Sequence, residues 1–307
     1  MLFDLQVNGY RGVDFSAPGL TPDDFRGACH ALLRHGVDSF LPTLITSSMG
    51  VYERNFGVAC AVLETDNVLA GRIPGFHLEG PFISPEPGAV GAHNPDCVRP
   101  PDRAAFDRIM AFARGKIKLL TLAADQPGAD ALARHAVARG VAVSCGHHLA
   151  NAADLARLAD AGAAALTHLG NGMPNLAHRH RNPLLAGLGE TRLDILFIPD
   201  GHHLPMEFLQ MLARLVPARR LIATSDASPA AGLPPGRHHV LGNDAVLEPN
   251  GLLHNPAKQC LVGSSATLVE CVEVLRSTGC FSEADFRRMV WDNPRRLLGI
   301  RGATGLC

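Results

Sequence analysis

The segment GFHLEGPF, residues 75–82, ends a short apolar run on a glutamate and then turns at Gly80-Pro81. The apolar run has the length and composition of a buried strand. An ionised carboxylate is costly to bury unless it is paired or binds a metal ion. Glu79 therefore marks either the exposed end of a strand or one member of a site, and the rest of the chain has to distinguish the two.

Seven more short apolar runs have this form, and amphipathic segments separate them. With the first, they occupy residues 2–8, 39–45, 73–79, 117–124, 141–147, 163–169, 195–201 and 221–227. The candidate helices are 22–35, 50–64, 102–114, 128–139, 151–161 and 205–215, with two more near 265–277 and 282–298, whereas 176–192 is ambiguous. Eight alternating units predict an α/β fold, a (β/α)8 TIM-type barrel. The alternative, a doubly wound open sheet, lacks a G-x-G-x-x-G after a first strand.

We predict one barrel domain over residues 1–307, with an elaborated loop at about 227–262 after the eighth strand. Gly242-Asn243 and Asn250-Gly251 are hairpin signals within that loop. Such a loop either covers the site or is a surface hairpin without a role in it.

Composition excludes several classes of protein. The net charge is -1 and no long run of Lys or Arg occurs, which argues against nucleic acid as a partner. No apolar stretch reaches the roughly 18 residues of a membrane span, and the amino terminus lacks the pattern of a secretory signal. The eight cysteines, Cys307 included, form no C-x-x-C pair and are typical of reduced thiols. We therefore expect a cytoplasmic protein.

Polar residues concentrate at the carboxyl ends of the predicted strands, which meet at one face of a barrel. They are Gln6, Asn8, Glu79, His147, His168, Asp200, His202, His203 and Asp226. Each one alone is more often structural than functional. Together, Glu79, His147 and His168 provide the carboxylate and imidazole ligands that suit catalytic zinc, with a water as fourth ligand. Asp226 could accept the proton of that water and pass it to a leaving group.

Seven motifs then show a family resemblance: HLEGPF (77–82), GAHNPD (91–96), SCGHHLANA (144–152), THLGNGMP (167–174), PDGHH (199–203), TSDASPAAG (224–232) and VGSSATL (262–268). In this order they resemble N-acetylglucosamine-6-phosphate deacetylases of the amidohydrolase superfamily. The resemblance implies a zinc-dependent hydrolase that removes acetate from an amino sugar phosphate. It also implies a homodimer. Family members carry a small β-sandwich beside the barrel, whereas this sequence begins almost directly on its first predicted strand, so we expect a barrel-only variant.

The site residues implied by the resemblance follow the motifs. Glu79, His147 and His168 would hold the metal, and Asp226 would be the general base and then the general acid. The sugar phosphate would contact His93, Asn171, Gly172 and His203, with Arg181, or alternatively Arg179, on the phosphate. The position where many superfamily members have His-x-His reads Gln6-Val7-Asn8. Because amides are poor zinc ligands, we expect one divalent metal ion. His148 could compete as a ligand.

Two other functions remain open at the level of sequence. One is an amidohydrolase of different specificity, a deaminase or an N-acyl-amino-acid hydrolase, in which Asn171, Gly172 and Arg181 would have no phosphate to bind. The other is a barrel that has lost catalysis and serves as a binding protein. The four chemically competent positions argue against the latter.

Overall fold

The computed structural model describes residues 1–300, so Cys307 lies outside it. Eight parallel strands follow one another around the sheet in chain order. They are Phe3–Val7, Ser39–Ile45, Phe76–Glu79, Ile117–Leu122, Ala142–Cys145, Ala165–Leu166, Asp194–Phe197 and Leu221–Ala223. The predicted TIM-type barrel is confirmed.

The barrel closes between the first and eighth strands through only a few contacts. Val7 bridges Ala227, and the Asn8 N–H donates to the Ala227 carbonyl over 2.8 Å. Below this bridge, the buried Asp4 carboxylate accepts hydrogen bonds from the Thr224 and Ser225 hydroxyls. Burial raises the pKa of Asp4, and these donors partly offset that effect. Side-chain hydrogen bonds thus replace part of the backbone ladder that the first and eighth strands do not form.

Helices alternate with the strands. Their bounds are Pro22–His35, Met49–Thr65, Asn67–Arg72, Arg103–Phe112, Ala129–Val137, Ala152–Asp160, Pro183–Gly189, Met206–Leu215, Leu268–Ser277, Glu283–Arg287 and Asn293–Leu297. The first begins at Pro22 because the Thr21 side chain caps the Asp24 N–H, and it ends at Gly36, whose φ is 114°. The last two are joined by a π-helical turn, Arg288–Asp292, inside the predicted helix 282–298.

The barrel interior changes character along its axis. In the lower part an apolar cluster lies against Trp291 and Leu297; it contains Phe3, Leu5, Leu41, Leu119, Ala165, Leu196 and Ile222. These residues alternate with residues of the outer core along the strands, so they face inward. The next inward layer is polar: His77 lies between the Thr43 and Thr121 hydroxyls, at 3.3 and 2.8 Å. Glu79 follows His77 on the same face of its strand.

Residues after the eighth strand form a separate antiparallel sheet. Its strands are Gly236–Val240, Asn243–Leu247, Leu253–Asn255 and Cys260–Leu261. The first turn uses Leu241 and Gly242, both at positive φ, which is one residue earlier than the Gly242-Asn243 signal. Asn250-Gly251 lies between the second and third strands. No helix within residues 1–300 is long and apolar enough to cross a membrane.

Candidate metal centre and active site

Three predicted ligands converge at the carboxyl end of the barrel. Glu79 ends the third strand, and His147 and His168 follow the fifth and sixth. Their ligand atoms all lie within 4.8 Å of one another, and all three side chains are buried. His168 Nε2 is 3.0 Å from Glu79 Oε1 and 3.1 Å from His147 Nε2. Three strand ends therefore form a compact cluster of one carboxylate and two imidazoles.

Surrounding groups orient two of these ligands. The Nδ1–H of His147 donates to the Ala89 carbonyl over 2.7 Å, which leaves Nε2 free to face the cluster. The Gln6 amide donates to Glu79 Oε1 over 2.8 Å. Such contacts fix the tautomer and direction of metal-binding side chains in proteins. Two Nε2 atoms that face each other and a carboxylate fit a bound divalent cation, because two lone pairs at this distance repel without a proton or metal between them.

The buried Glu79 carboxylate is negatively charged and needs a positive charge beside it. Burial alone would raise the pKa of Glu79, but hydrogen bonds from His147 and His168 and the charge of His147 hold that pKa well below its usual range. Burial opposes protonation of His147, yet Glu79 raises the pKa of this imidazole above its usual value. Glu79 is thus an anion that requires a cation beside it. A proton on His147 or a metal ion provides that cation.

Asp226 follows the eighth strand and opens onto the same cavity. Its Oδ1 accepts a hydrogen bond from the Asn8 amide over 2.7 Å. Burial and then the negative charge of Glu79 raise the pKa of Asp226 to about 6. This carboxyl group can therefore gain and lose a proton near neutral pH, as a general acid–base requires.

Three of these four residues have an unusual backbone conformation. The φ angles of His147, His168 and Asp226 are 51°, 32° and 52°. Residues other than glycine seldom adopt positive φ, and doing so costs on the order of 1 kcal/mol or more each. The conformation directs each side chain to the common centre just where its strand ends. Strain of this kind is concentrated at functional sites.

A cavity of about 790 Å³ extends from the cluster to the surface, and four predicted substrate contacts line it: His93, Asn171, Gly172 and His203. Arg181 and Arg179 are exposed and do not line it. His148 is buried, but its Nδ1 accepts from the Ala150 N–H and it is not part of the ligand cluster. The structure brings the predicted ligands, Asp226 and these four contacts together and leaves the two arginines outside.

His93 is held as a neutral donor. Its Nδ1 accepts from the Thr46 N–H and lies 2.8 Å from the Thr46 hydroxyl. Burial and the charge of His147 lower the pKa of His93 to about 3. In this tautomer the proton is on Nε2, which is 3.7 Å from Glu79 Oε2 at the edge of the cavity.

His203 has the opposite character. Its Nδ1–H donates to Asp200 Oδ2 over 2.7 Å, and the Ser264 hydroxyl donates to the same oxygen. Burial disfavours the charged ring, but the Asp200 carboxylate raises the pKa of His203. Sequence reasoning noticed Asp200 at a strand end without giving it a role. The motif PDGHH does contain a signal for this contact, since an Asp three residues before a His at a turn can accept a hydrogen bond from the imidazole N–H.

Sequence reasoning missed a second group of cavity residues. The sheet after the eighth strand contributes Leu252, His254, Lys258, Gln259, Cys260 and Leu261 to the cavity wall. The predicted loop is thus a wall of the site. Which loop residues face inward depends on the register of short strands, which the sequence does not specify.

Comparisons with known proteins agree with this geometry. The human N-acetylglucosamine-6-phosphate deacetylase is 36% identical over 319 residues, which cover 98% of this chain and 74% of the relative. The chain belongs to the N-acetylglucosamine-6-phosphate deacetylase family. Deacetylases of this family hydrolyse an amide bond. The chain is therefore a member of a family of amide hydrolases, as its sequence motifs predicted. No model of a protein family matches the chain.

The chain is also similar to a second relative and to a solved structure. An N-acetylgalactosamine-6-phosphate deacetylase of Escherichia coli O157:H7 is 29% identical over 98% of this chain and 78% of the relative. The solved structure is a mutant N-acetyl-D-glucosamine-6-phosphate deacetylase of Mycobacterium smegmatis in complex with N-acetyl-D-glucosamine-6-phosphate. It is 28% identical, with a TM-score of 0.86 over 97% of this chain and 77% of the other.

Proposed function

We propose that the protein hydrolyses the acetamido group of an amino sugar phosphate, N-acetylglucosamine 6-phosphate or a close relative, with one divalent metal ion. The convergence of Glu79, His147 and His168 beside Asp226 is the observation that carries the proposal. Family membership supports the reaction class, and the relatives' substrates support the sugar phosphate.

The donor set fits zinc best among common divalent ions, because two imidazoles and one carboxylate are typical of catalytic zinc. When bound, the ion acidifies a water molecule and polarises the amide carbonyl. We assign no ligand role to Gln6 or Asn8. Their amide groups donate to Glu79 and Asp226 instead, which is consistent with a single ion.

Proton transfer is the task of Asp226. As the water oxygen bonds to the acetyl carbon, the ionised Asp226 carboxylate accepts a proton from that water. Asp226 then gives the proton to the amide nitrogen as the carbon–nitrogen bond breaks, which leaves acetate and a free amine. The Nε2–H of His93 is a donor for the acetyl oxygen, whose negative charge grows during attack.

The proposed contacts to the rest of the substrate are His203, Asn171 and Gly172, with Arg181 or Arg179 on the phosphate. His203 has its Nδ1 paired with Asp200, so its Nε2 is available to a sugar hydroxyl or to an anion. The two arginines are exposed on the segment after Met173-Pro174. Arg181→Ala should raise KM more for a phosphorylated substrate than for its unphosphorylated analogue, if this assignment holds.

Acetate release from purified, zinc-loaded protein tests the proposal. The substrates are N-acetylglucosamine 6-phosphate, N-acetylgalactosamine 6-phosphate, unphosphorylated N-acetylglucosamine and an N-acetylated amino acid. We expect the phosphorylated sugars to be preferred. The galactosamine compound is the second candidate because one relative is a deacetylase of that sugar phosphate. Preference for the amino acid would instead support an amidohydrolase of other specificity.

A cytoplasmic homodimer belongs to the same proposal. Leu176 is 92% exposed and lies two residues before the basic segment 178–181, whose two arginines are also exposed. A second copy of the chain would cover Leu176 and receive these arginines. Sedimentation at micromolar concentration is the test, and a mass of 32.6 kDa with full activity would contradict the dimer.

A further inference from the structure

The cavity needs a positive charge near its mouth if its substrate is a phosphate ester. Two carboxyl groups, Glu79 and Asp226, lie at its base. Within residues 1–300, Lys258 is the one lysine or arginine that lines this cavity. Besides His203, whose pKa Asp200 raises, this ammonium group is the positive charge that an entering anion meets within a single chain.

The turn that carries Lys258 is held in place by hydrogen bonds. The Asn255 side-chain oxygen accepts from the Ala257 and Lys258 N–H groups over 3.0 and 3.1 Å. The Lys258 ammonium donates to the Asn243 side-chain oxygen over 2.7 Å. An ammonium has three donors, so this contact fixes its position and leaves two donors for a ligand.

Asn243 connects Lys258 to the wall of the catalytic site. Asn243 is buried, and its amide donates to the Ala92 carbonyl over 2.8 Å, next to the proposed acetyl-oxygen donor His93. On the other side of the same wall, Gly172 packs so closely on His147 that an added Cβ would lie 2.9 Å from the ring. Gly91 also packs against that ring. Gly91, the neighbour of Ala92 in the chain, and Gly172 therefore both lie against the His147 imidazole.

We infer that Lys258 binds the phosphate of the substrate and determines the preference for a phosphorylated sugar. This inference rests on the proposed function and adds a residue to it. The exposed Lys258 side chain can reach an anion at the cavity mouth while the sugar extends inward to the metal ligands. Lys258 belongs to the sheet region formed by residues 236–261. No residue of that region was among the predicted site residues.

Lys258→Met tests the inference, because it keeps the length of the side chain and removes the charge. The control is Lys116→Met, which removes the same charge outside the cavity lining. We expect kcat/KM for N-acetylglucosamine 6-phosphate to fall roughly tenfold in Lys258→Met, as for loss of a charge-assisted hydrogen bond. The value for unphosphorylated N-acetylglucosamine should change less than about twofold, and Lys258→Arg should retain most of the phosphate preference.

Equal losses on both substrates would overturn the inference, as would a lost phosphate preference in Arg181→Ala with none in Lys258→Met. Binding of glucosamine 6-phosphate, measured by calorimetry on the zinc-loaded protein, separates the inference from the proposed function. If the wild type releases no acetate from any substrate, the proposed function fails. The inference then depends on whether Lys258→Met weakens binding of this phosphate ester while Lys116→Met does not. Unchanged binding in Lys258→Met contradicts it.

Discussion

Replacing Asn8 by alanine should shift the pH dependence of the reaction in a defined direction. The Asn8 amide donates to Asp226 Oδ1 over 2.7 Å, and this hydrogen bond favours the ionised carboxylate. A hydrogen bond to a charged group contributes about 1.5–3 kcal/mol, and one pKa unit corresponds to about 1.4 kcal/mol. A water molecule that enters the space left by the amide recovers part of this. We therefore expect the pKa of Asp226 to rise by about one unit in Asn8→Ala.

The sign of the effect on activity follows from the role of Asp226 as a base. Only the ionised carboxylate accepts a proton from water, so kcat/KM falls as pH drops through the pKa of Asp226. With that pKa at about 6, a rise of one unit leaves roughly a fifth of the activity at pH 6 and nearly all of it at pH 8. A bound metal ion lowers the pKa of Asp226 in both proteins and shifts both curves together.

The assay is acetate release over pH 5–9 at saturating metal, for wild type, Asn8→Ala and Asp226→Asn. Asp226→Asn should reduce kcat by about 10²–10⁴-fold at every pH, since the acid–base group is gone. If the acid limbs of the Asn8→Ala and wild-type pH profiles have the same midpoint, the Asn8 amide does not act through the ionisation of Asp226. Asn8 would then contribute to activity in some way other than through the pKa of Asp226.

Three other outcomes are expected. Glu79→Gln removes the anionic ligand, so metal analysis should fall from about one equivalent per chain to less than roughly a tenth; two equivalents in the wild type would contradict the single-ion assignment. His77 is buried, with its pKa lowered from 6.5 to about 4 by burial. Because the unfolded chain binds the extra proton, the wild type should lose about 3 kcal/mol of unfolding free energy as pH falls from 6.5 to 4, and chemical denaturation of His77→Gln should show a smaller loss. The control is His239→Gln, at an exposed histidine, and equal acid sensitivity in all three proteins would refute the assignment to His77. Asp200→Asn removes the anion that holds His203, so KM should rise several-fold with a smaller change in kcat; unchanged kinetics would limit the Asp200 contact to folding.

The barrel and its metal cluster were predictable because both depend on local patterns. Six of the eight predicted strands end in a switch from apolar to polar residues, and barrel topology brings all strand ends to one face. The helix 22–35 was predicted to the residue, since Thr21, Pro22 and Gly36 mark its ends. The sixth strand was less well bounded: the apolar run 163–169 contains only two paired residues, Ala165 and Leu166.

Contacts between distant segments were not predictable in the same way. The link from Lys258 through Asn243 to Ala92 joins three distant parts of the chain. Lys258 belongs to no recognisable motif, and the motifs that contain Ala92 and Asn243 do not indicate this contact. The direction of the Arg181 side chain could not be predicted from the sequence either. The order of the motifs indicates which residues are neighbours in the chain, but not where a side chain points. Asp4 illustrates a third case, since a buried carboxylate in the first strand is explained only by Thr224 and Ser225, which directly follow the eighth strand.

The positive φ angles at His147, His168 and Asp226 restrict which amino acids these positions can accept. Histidine, aspartate, asparagine and glycine tolerate this region of backbone space better than other residues, and β-branched residues tolerate it least. Random substitution at these three sites therefore destabilises the fold in addition to removing a functional group. A change of metal or of proton donor in this barrel has to draw on that short set of residues, so new chemistry would arise more easily by adding polar groups from the 236–261 sheet than by exchanging the ligands.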